Sequence, residues 1–370
     1  MPPLPTLPNY SAANVRGVIP ALLAPRGAKL PAWMPAPVTV ATQVVLLVID
    51  GLGWEQLASR RDLAPNLAAM SGGPITTVAP STTATALTSI TTGLTPGEHG
   101  IVGYRMEVAG EVLNVLRWST GHGDARRQID PTTTQPFAPF LGESVAVVSK
   151  AELEQSAFSE AHLRGAEPAG WRTPSSIAVV VGNLLRRGDR LVYAYYDGID
   201  KIAHERGFGP FYDAELQFVD ALVGAVQAAL PAGAVLLVTA DHGQVEVGER
   251  LVTPHTDVLR LCRHQSGEGR FRWLHARPGA HAELLAAATH HHGVQAWVHS
   301  REDLIGAGWF GPTVSPPIAG RYGDVALVPH EPISFHDPAD SGPYPLVCRH
   351  GSLTSAEMLV PLLAAVADNT

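Results

Sequence analysis

The sequence predicts an α/β sandwich, a mostly parallel central sheet flanked by helices, with an inserted α+β lobe. Three short runs carry the sheet: QVVLLVID (43–50), RLVYAYYDGID (190–200) and GAVLLVTADHG (233–243). Each is almost continuously apolar and closes on acidic residues beside glycine, which suits a parallel strand buried on both faces better than an amphipathic helix. Between them, residues 84–91, 174–187 and 212–229 repeat apolar side chains at helical spacing. Strands alternating with helices build this class of fold.

In chain order, residues 1–38 hold nine prolines and little periodicity, so they read as an extended N-terminal arm. Residues 39–245 and 339–370 form the α/β domain. The stretch 246–338 has fewer buried-strand runs and short alternating pieces such as VQAWVH and DVALVP, and reads as an inserted, cap-like lobe. No fixed-period repeat is present, which disfavours a solenoid or propeller.

Composition excludes several classes. The 370 residues are 45% hydrophobic and 16% charged, as in a folded globular chain. Lys and Arg number 26 against 34 Asp and Glu, a formal charge of −8, and no basic block exists to track a nucleic-acid backbone. No apolar run approaches the roughly 20 residues that a membrane span needs. Proline interrupts every apolar stretch of the N-terminus, so no signal peptide is recognised and a cytoplasmic location is expected. Cys262 and Cys348, the only two cysteines, cannot form a disulfide framework, and whether they pair is open.

The chemistry lies at the strand ends, where ligands gather in open α/β sheets. Any one of these acids is explained as a turn former or helix cap. Together, Asp50, Asp200, His204, Asp241, His242 and His350 supply three carboxylates and three imidazoles that one parallel sheet would assemble. Six N/O donors suit two divalent cations with open positions for water or substrate. The segment APSTTATALTSITTG (79–93) adds hydroxyls at a helix start, where free N–H groups favour phosphate, although Ser and Thr are also the commonest caps.

These anchors resemble the nucleotide pyrophosphatase/phosphodiesterase family of the alkaline phosphatase superfamily. The resemblance rests on Asp50 in VVLLVIDGLG, Thr83 in PSTTATALTSITTG followed by EHGIVG, Asp200 and His204 in DKIAHERG, Asp241 and His242 in ADHG, and His350 in RHGS. It implies an alkaline-phosphatase-like sandwich and Thr83 as nucleophile in a covalent phospho-threonine mechanism. It also implies one metal held by Asp200, His204 and His350 and another by Asp50, Asp241, His242 and the Thr83 oxygen. Zinc is the metal implied, and manganese or iron also suits these ligands. The implied substrate is a small phosphodiester or nucleotide pyrophosphate. A phosphomonoesterase, a phosphonoacetate-type phosphonate hydrolase and a catalytically silent metal-binding relative are the alternatives.

Departures bear on substrate. Tyr104 stands where the family has an asparagine that donates to phosphate, and Ala84, Thr85 and Ala86 replace its usual Phe-Pro-Asn. Tyr104 and Arg105 are the expected substrate-binding residues. No C-x-P-x-R or S-x-P-x-R segment marks a sulfatase, and no G-x-x-x-x-G-K-[ST] loop is present. The run His290–His291–His292 reads as a solvated helix end, and His255, His264, His275, His281, His299, His330 and His336 as surface histidines of the lobe, any one of which could reach over the site.

Overall fold

The computed structural model describes residues 3–25, 27–340 and 345–367. Its centre is a seven-stranded sheet in the order Ser71–Thr76, Leu359–Val366, Val235–Thr239, Val44–Ile49, Leu191–Tyr196, Ala146–Val148, Glu167–Pro168. The last five run parallel, and Leu359–Val366 is antiparallel to both of its neighbours. All six side chains of Val44–Ile49 are buried, which explains the unbroken apolar run. Each contributes about 1.5–3 kcal/mol by leaving water. Leu359–Val366 is a strand despite Pro361. That proline pairs with Pro74, so neither position needs an N–H donor, and the pairing with Val235–Thr239 begins one residue later, at Leu362.

Two helices position the chemistry. Thr83–Thr92 is buried along its whole length and ends at Gly93, whose φ of 74° completes a left-handed cap. Gly198–Arg206 follows the strand Leu191–Tyr196 and carries Asp200 and His204 four residues apart, on one face.

The N-terminal arm departs from the extended reading. It contains helical turns at Val15–Gly17, Val18–Leu22 and Ala36–Val40, and Val15, Val18 and Ile19 are fully buried. Asn14 Nδ2 donates to the Thr77 carbonyl at 2.9 Å and Arg16 to that of Gly93 at 3.1 Å, tying the arm to the segment before Thr83 and to the end of its helix. In Ala36–Val40 the proline stands in the first turn, where a short helix tolerates it, so it does not mark an extended segment there.

Within 246–338, the strands Cys262–Glu268, Phe271–Ala276, Val325–Pro329 and Ala296–Ser300 form an antiparallel sheet in that order, with the helix His281–His292 packed on it. One face has its own apolar cluster around Leu274, Leu284 and Leu327, while Phe271, Trp273 and Tyr322 belong to the main core. At the root of this sheet Arg270 makes a fully buried two-point pair with Glu357, Nε to Oε1 at 2.7 Å and Nη2 to Oε2 at 2.8 Å. A second small sheet, Arg105–Val108, Glu111–Asn114, Ser119–Thr120 and Gly123–Asp124, forms a ribbon beside the insertion and has no counterpart in the sequence reading. Cys262 and Cys348 are both buried and free, so they do not pair. No helix among the described residues is long and apolar enough to cross a membrane.

Candidate active site

Asp50 follows the strand Val44–Ile49 and Asp241 lies just past Val235–Thr239, and these two strands are neighbours in register. Their carboxylates therefore meet at one edge, joined by His242. Asp50, Asp241 and His242 each offer an atom within 4.8 Å of the others, and so do Asp200, His242 and His350. His204 Nε2 lies 3.2 Å from Asp200 Oδ1, and the His242 and His350 rings stack at 3.6 Å. All six expected ligands thus lie in one contiguous site, with His242 in reach of both groups.

The backbone sets the histidine tautomers. Nδ1 of His204 faces the Cys348 carbonyl at 2.7 Å, that of His350 the Ser81 carbonyl at 3.0 Å, and that of His242 the Gly243 carbonyl at 3.0 Å. A carbonyl only accepts, so each Nδ1 carries a proton, and in the neutral ring Nε2 then presents its lone pair to the site. The His242 lone pair faces Asp50 Oδ1 at 3.4 Å and Asp241 Oδ2 at 3.5 Å, and these two buried oxygens have no hydrogen-bond partner among the described residues. Proton-free atoms facing one another in a buried site repel. The donor set therefore fits divalent cations, whose charge removes the conflict. Burial, and for Asp50 the charges of Asp241 and Asp200, holds both carboxyls above their usual range, while burial and the neighbouring histidines push His350 down, so its ring is neutral.

Thr83 opens its helix, with Thr82 as the N-cap residue, and makes no cap. Its hydroxyl lies 3.1 Å from His242 Nε2, inside the site. The residue lines a cavity of about 580 Å³ together with Tyr104, Arg117, Asp200, His204, Glu268, His336, Arg349 and His350. Tyr104 accepts from Asn114 Nδ2 at 2.7 Å, leaving its own proton free to donate, and burial raises the phenol so that it stays protonated.

Arg105 departs from its expected role. Its guanidinium is buried against Asp337, Nη1 to Oδ2 at 2.5 Å, and it does not line this cavity. Arg117 and Arg349 do. Arg349 directly precedes His350, a sequence signal that was available, whereas Arg117 comes from the ribbon and Glu268 from the insertion, with no motif to mark them. Glu268 Oε2 accepts from the Tyr104 N–H at 3.1 Å, and burial pushes this carboxyl up to about 8. Two supporting residues were also silent in the sequence: the Tyr195 hydroxyl donates to Asp50 Oδ2, and Gln244 Nε2 to Asp200 Oδ1 at 2.9 Å. Tyr195→Phe leaves that Asp50 oxygen without its donor. It is expected to weaken metal binding by about 10–100-fold, as loss of an outer hydrogen bond to a ligand does, which a competitive chelator titration measures.

The sequence profile places the chain, with its α/β sandwich, among phosphodiester-bond hydrolases. The chain belongs to the type I phosphodiesterase/nucleotide pyrophosphatase family, whose profile matches residues 44–353. Among solved structures it is similar to murine ectonucleotide pyrophosphatase/phosphodiesterase 5, at 17% identity, with 87% of each chain covered and a TM-score of 0.64. An inactive variant of that protein in complex with AMP matches at 16% identity over 87% of each chain, also with a TM-score of 0.64. Phosphonoacetate hydrolase from Sinorhizobium meliloti 1021 in complex with phosphonoformate matches at 17% identity, 92% of each chain and a TM-score of 0.62. At these identities the likeness is one of fold. No curated protein sequence matches.

Proposed function

We propose that the chain hydrolyses small phosphodiesters or nucleotide pyrophosphates, with Thr83 as covalent nucleophile and two divalent cations, zinc first among them. The supporting observation is that the Thr83 hydroxyl meets His242 Nε2 at 3.1 Å, the same atom that faces the unpaired carboxylate oxygens of Asp50 and Asp241. Asp200, His204 and His350 would hold one ion, and Asp50, Asp241, His242 and the Thr83 oxygen the other. When bound, such ions supply the positive charge that stabilises an alkoxide and the leaving oxygen near neutral pH. Thr83 Oγ1 attacks phosphorus as the bond to the leaving oxygen breaks, which gives phospho-threonine, and water then cleaves the new P–O bond and restores the hydroxyl. The free N–H groups in the first turn of Thr83–Thr92 and the Tyr104 hydroxyl stand ready to donate to non-bridging oxygens. Comparing zinc-loaded and chelated protein on an aryl phosphate diester and the matching monoester tests this reading. It requires diester preference and no turnover after chelation.

A second reading has a specific observation behind it. Arg117 and Arg349 line the same cavity as Thr83, and Arg349 Nε has no hydrogen-bond partner among the described residues. Two guanidinium groups there suit a substrate with a second anionic group near the phosphoryl group, such as a phosphonocarboxylate. Arg349→Ala is expected to raise KM for such a substrate by about 10–100-fold, the loss of one charge-assisted contact. The same variant should leave kcat on an aryl diester whose only anionic group is its phosphate within about threefold. Equal effects on both substrates would remove the second-anion reading.

A further inference from the structure

Beyond the site around Thr83, a second set of metal-type side chains sits where the ribbon meets the inserted sheet. Glu107 Oε2 lies 3.0 Å from His264 Nε2 and 3.2 Å from His275 Nδ1, and all three donor atoms lie within 4.8 Å of one another. The reading as a surface histidine fails for His275, which is 3% exposed, while the half-buried His264 stacks on it at 4.1 Å.

The backbone creates this set. The strands Cys262–Glu268 and Phe271–Ala276 pair with a register shift between Cys262 and His264. In a regular ladder Cys262 opposite Ala276 would put Arg263 opposite His275 and turn His264 to the other face. The irregularity inserts one residue, so that His264 and His275 are directly opposed and share a face. Ser266, two residues beyond His264 on that face, meets His275 Nε2 at 2.8 Å. Its hydroxyl can accept from an Nε2–H, which leaves the Nδ1 lone pair pointing at Glu107. The third donor arrives from the neighbouring strand Arg105–Val108.

We propose that Glu107, His264 and His275 form a third divalent-metal site, separate from the two ions proposed around Thr83 and of the zinc class. Two imidazole nitrogens and one carboxylate oxygen are a borderline-soft set, and ligands about 2.0–2.1 Å from an ion in tetrahedral array stand roughly 3.3 Å apart, close to the spacing found. Of the three ligands His264 lines a cavity of about 650 Å³, together with Arg105 and Asp337, which leaves room beside it for water as a remaining ligand. The ion would join two segments of the catalytic cavity wall. Tyr104 immediately precedes one strand, and Glu268 ends the other. Its role is therefore to hold that wall in place.

The test counts ions. Protein reconstituted with zinc and freed of unbound metal is compared with His264→Gln and Glu107→Gln by elemental analysis, with His291→Ala as control for the exposed cluster His255–Asp257–His291. Each of the first two variants is expected to carry one zinc fewer per chain than the wild type, and the control the same number. Equal zinc in all four proteins overturns the site. Anomalous scattering from zinc-soaked crystals of the unaltered protein decides independently of how the variants fold. A peak between Glu107, His264 and His275 supports the site, and its absence there while the Thr83 site is filled overturns it.

Discussion

Thr83→Ala is expected to lower turnover of an aryl phosphodiester by about 10⁴-fold or more, the scale on which enzymes lose a covalent nucleophile. The side chain is small, sits at the first position of its helix and makes no cap. Folding should therefore change little, and a melting temperature within about 3 °C of the wild type is expected for a loss near 1 kcal/mol. Zinc content should also be retained, because the carboxylate and imidazole donors are untouched. This combination separates a lost nucleophile from a damaged site. Wild-type rates in the variant would refute the phospho-threonine mechanism, whereas inactivity with lost zinc would show that the Thr83 oxygen acts chiefly in holding the ion. Thr83→Ser, which keeps the oxygen, should recover much of the rate.

Removing the metal is expected to produce the other large effect, one that grows with pH. In the ion-free chain the folded state holds the Asp50 and Asp241 carboxyls above their unfolded values. The folded protein then binds protons that the unfolded chain has released. Stability of the stripped protein must accordingly fall as pH rises from about 4, the unfolded aspartate value, through the raised folded values. Bound cations replace those protons, so the loaded protein should not show this decline. With ion in about thousandfold excess over its Kd, each site adds about 4 kcal/mol, and a difference in melting temperature of order 10 °C is expected near neutral pH. The gap between loaded and stripped samples should narrow toward acid. Parallel melting curves across the pH range would show that these carboxylates are not neutralised by metal.

The parts of this molecule that were legible in the sequence are those whose burial is local. Val44–Ile49, Leu191–Tyr196 and Val235–Thr239 are covered on both faces and read as unbroken apolar runs. Ser71–Thr76 is an edge strand of mostly exposed or half-buried residues with two glycines and a proline, so nothing in its composition announces it. The ligands were legible for a related reason. Asp50, Asp241 and His242 directly follow buried strands, and Asp200 and His204 share one turn of helix. Residues that act by approach from elsewhere gave no such signal. Tyr195 looked like one more strand residue, and Glu268 reaches the site only through the folding of the insertion. Arg105 is expected at the site because it is adjacent to Tyr104 in sequence, yet its guanidinium turns away to Asp337. The run His290–His291–His292 divides similarly. His292 is buried and accepts from the His255 N–H at 3.1 Å, and His291 stacks on His255, so the helix end is only partly solvated.

The Arg270–Glu357 pair bears on how substrate is admitted. Separating two buried, mutually neutralising groups leaves an uncompensated charge in the interior, at a cost of about 3–5 kcal/mol. Arg270 also donates to the carbonyls of Glu331 and Ile333, and Glu357 accepts from the Ser352 N–H and the Thr354 hydroxyl, so one separation would disturb several strands at once. The insertion is thus riveted beside the His350 loop, unlike a lid on a hinge. The part of the Thr83 cavity wall that Glu268 and Gly269 supply is therefore expected to act as a fixed edge, selecting by size, with no movement of the insertion to tailor it to each molecule that enters.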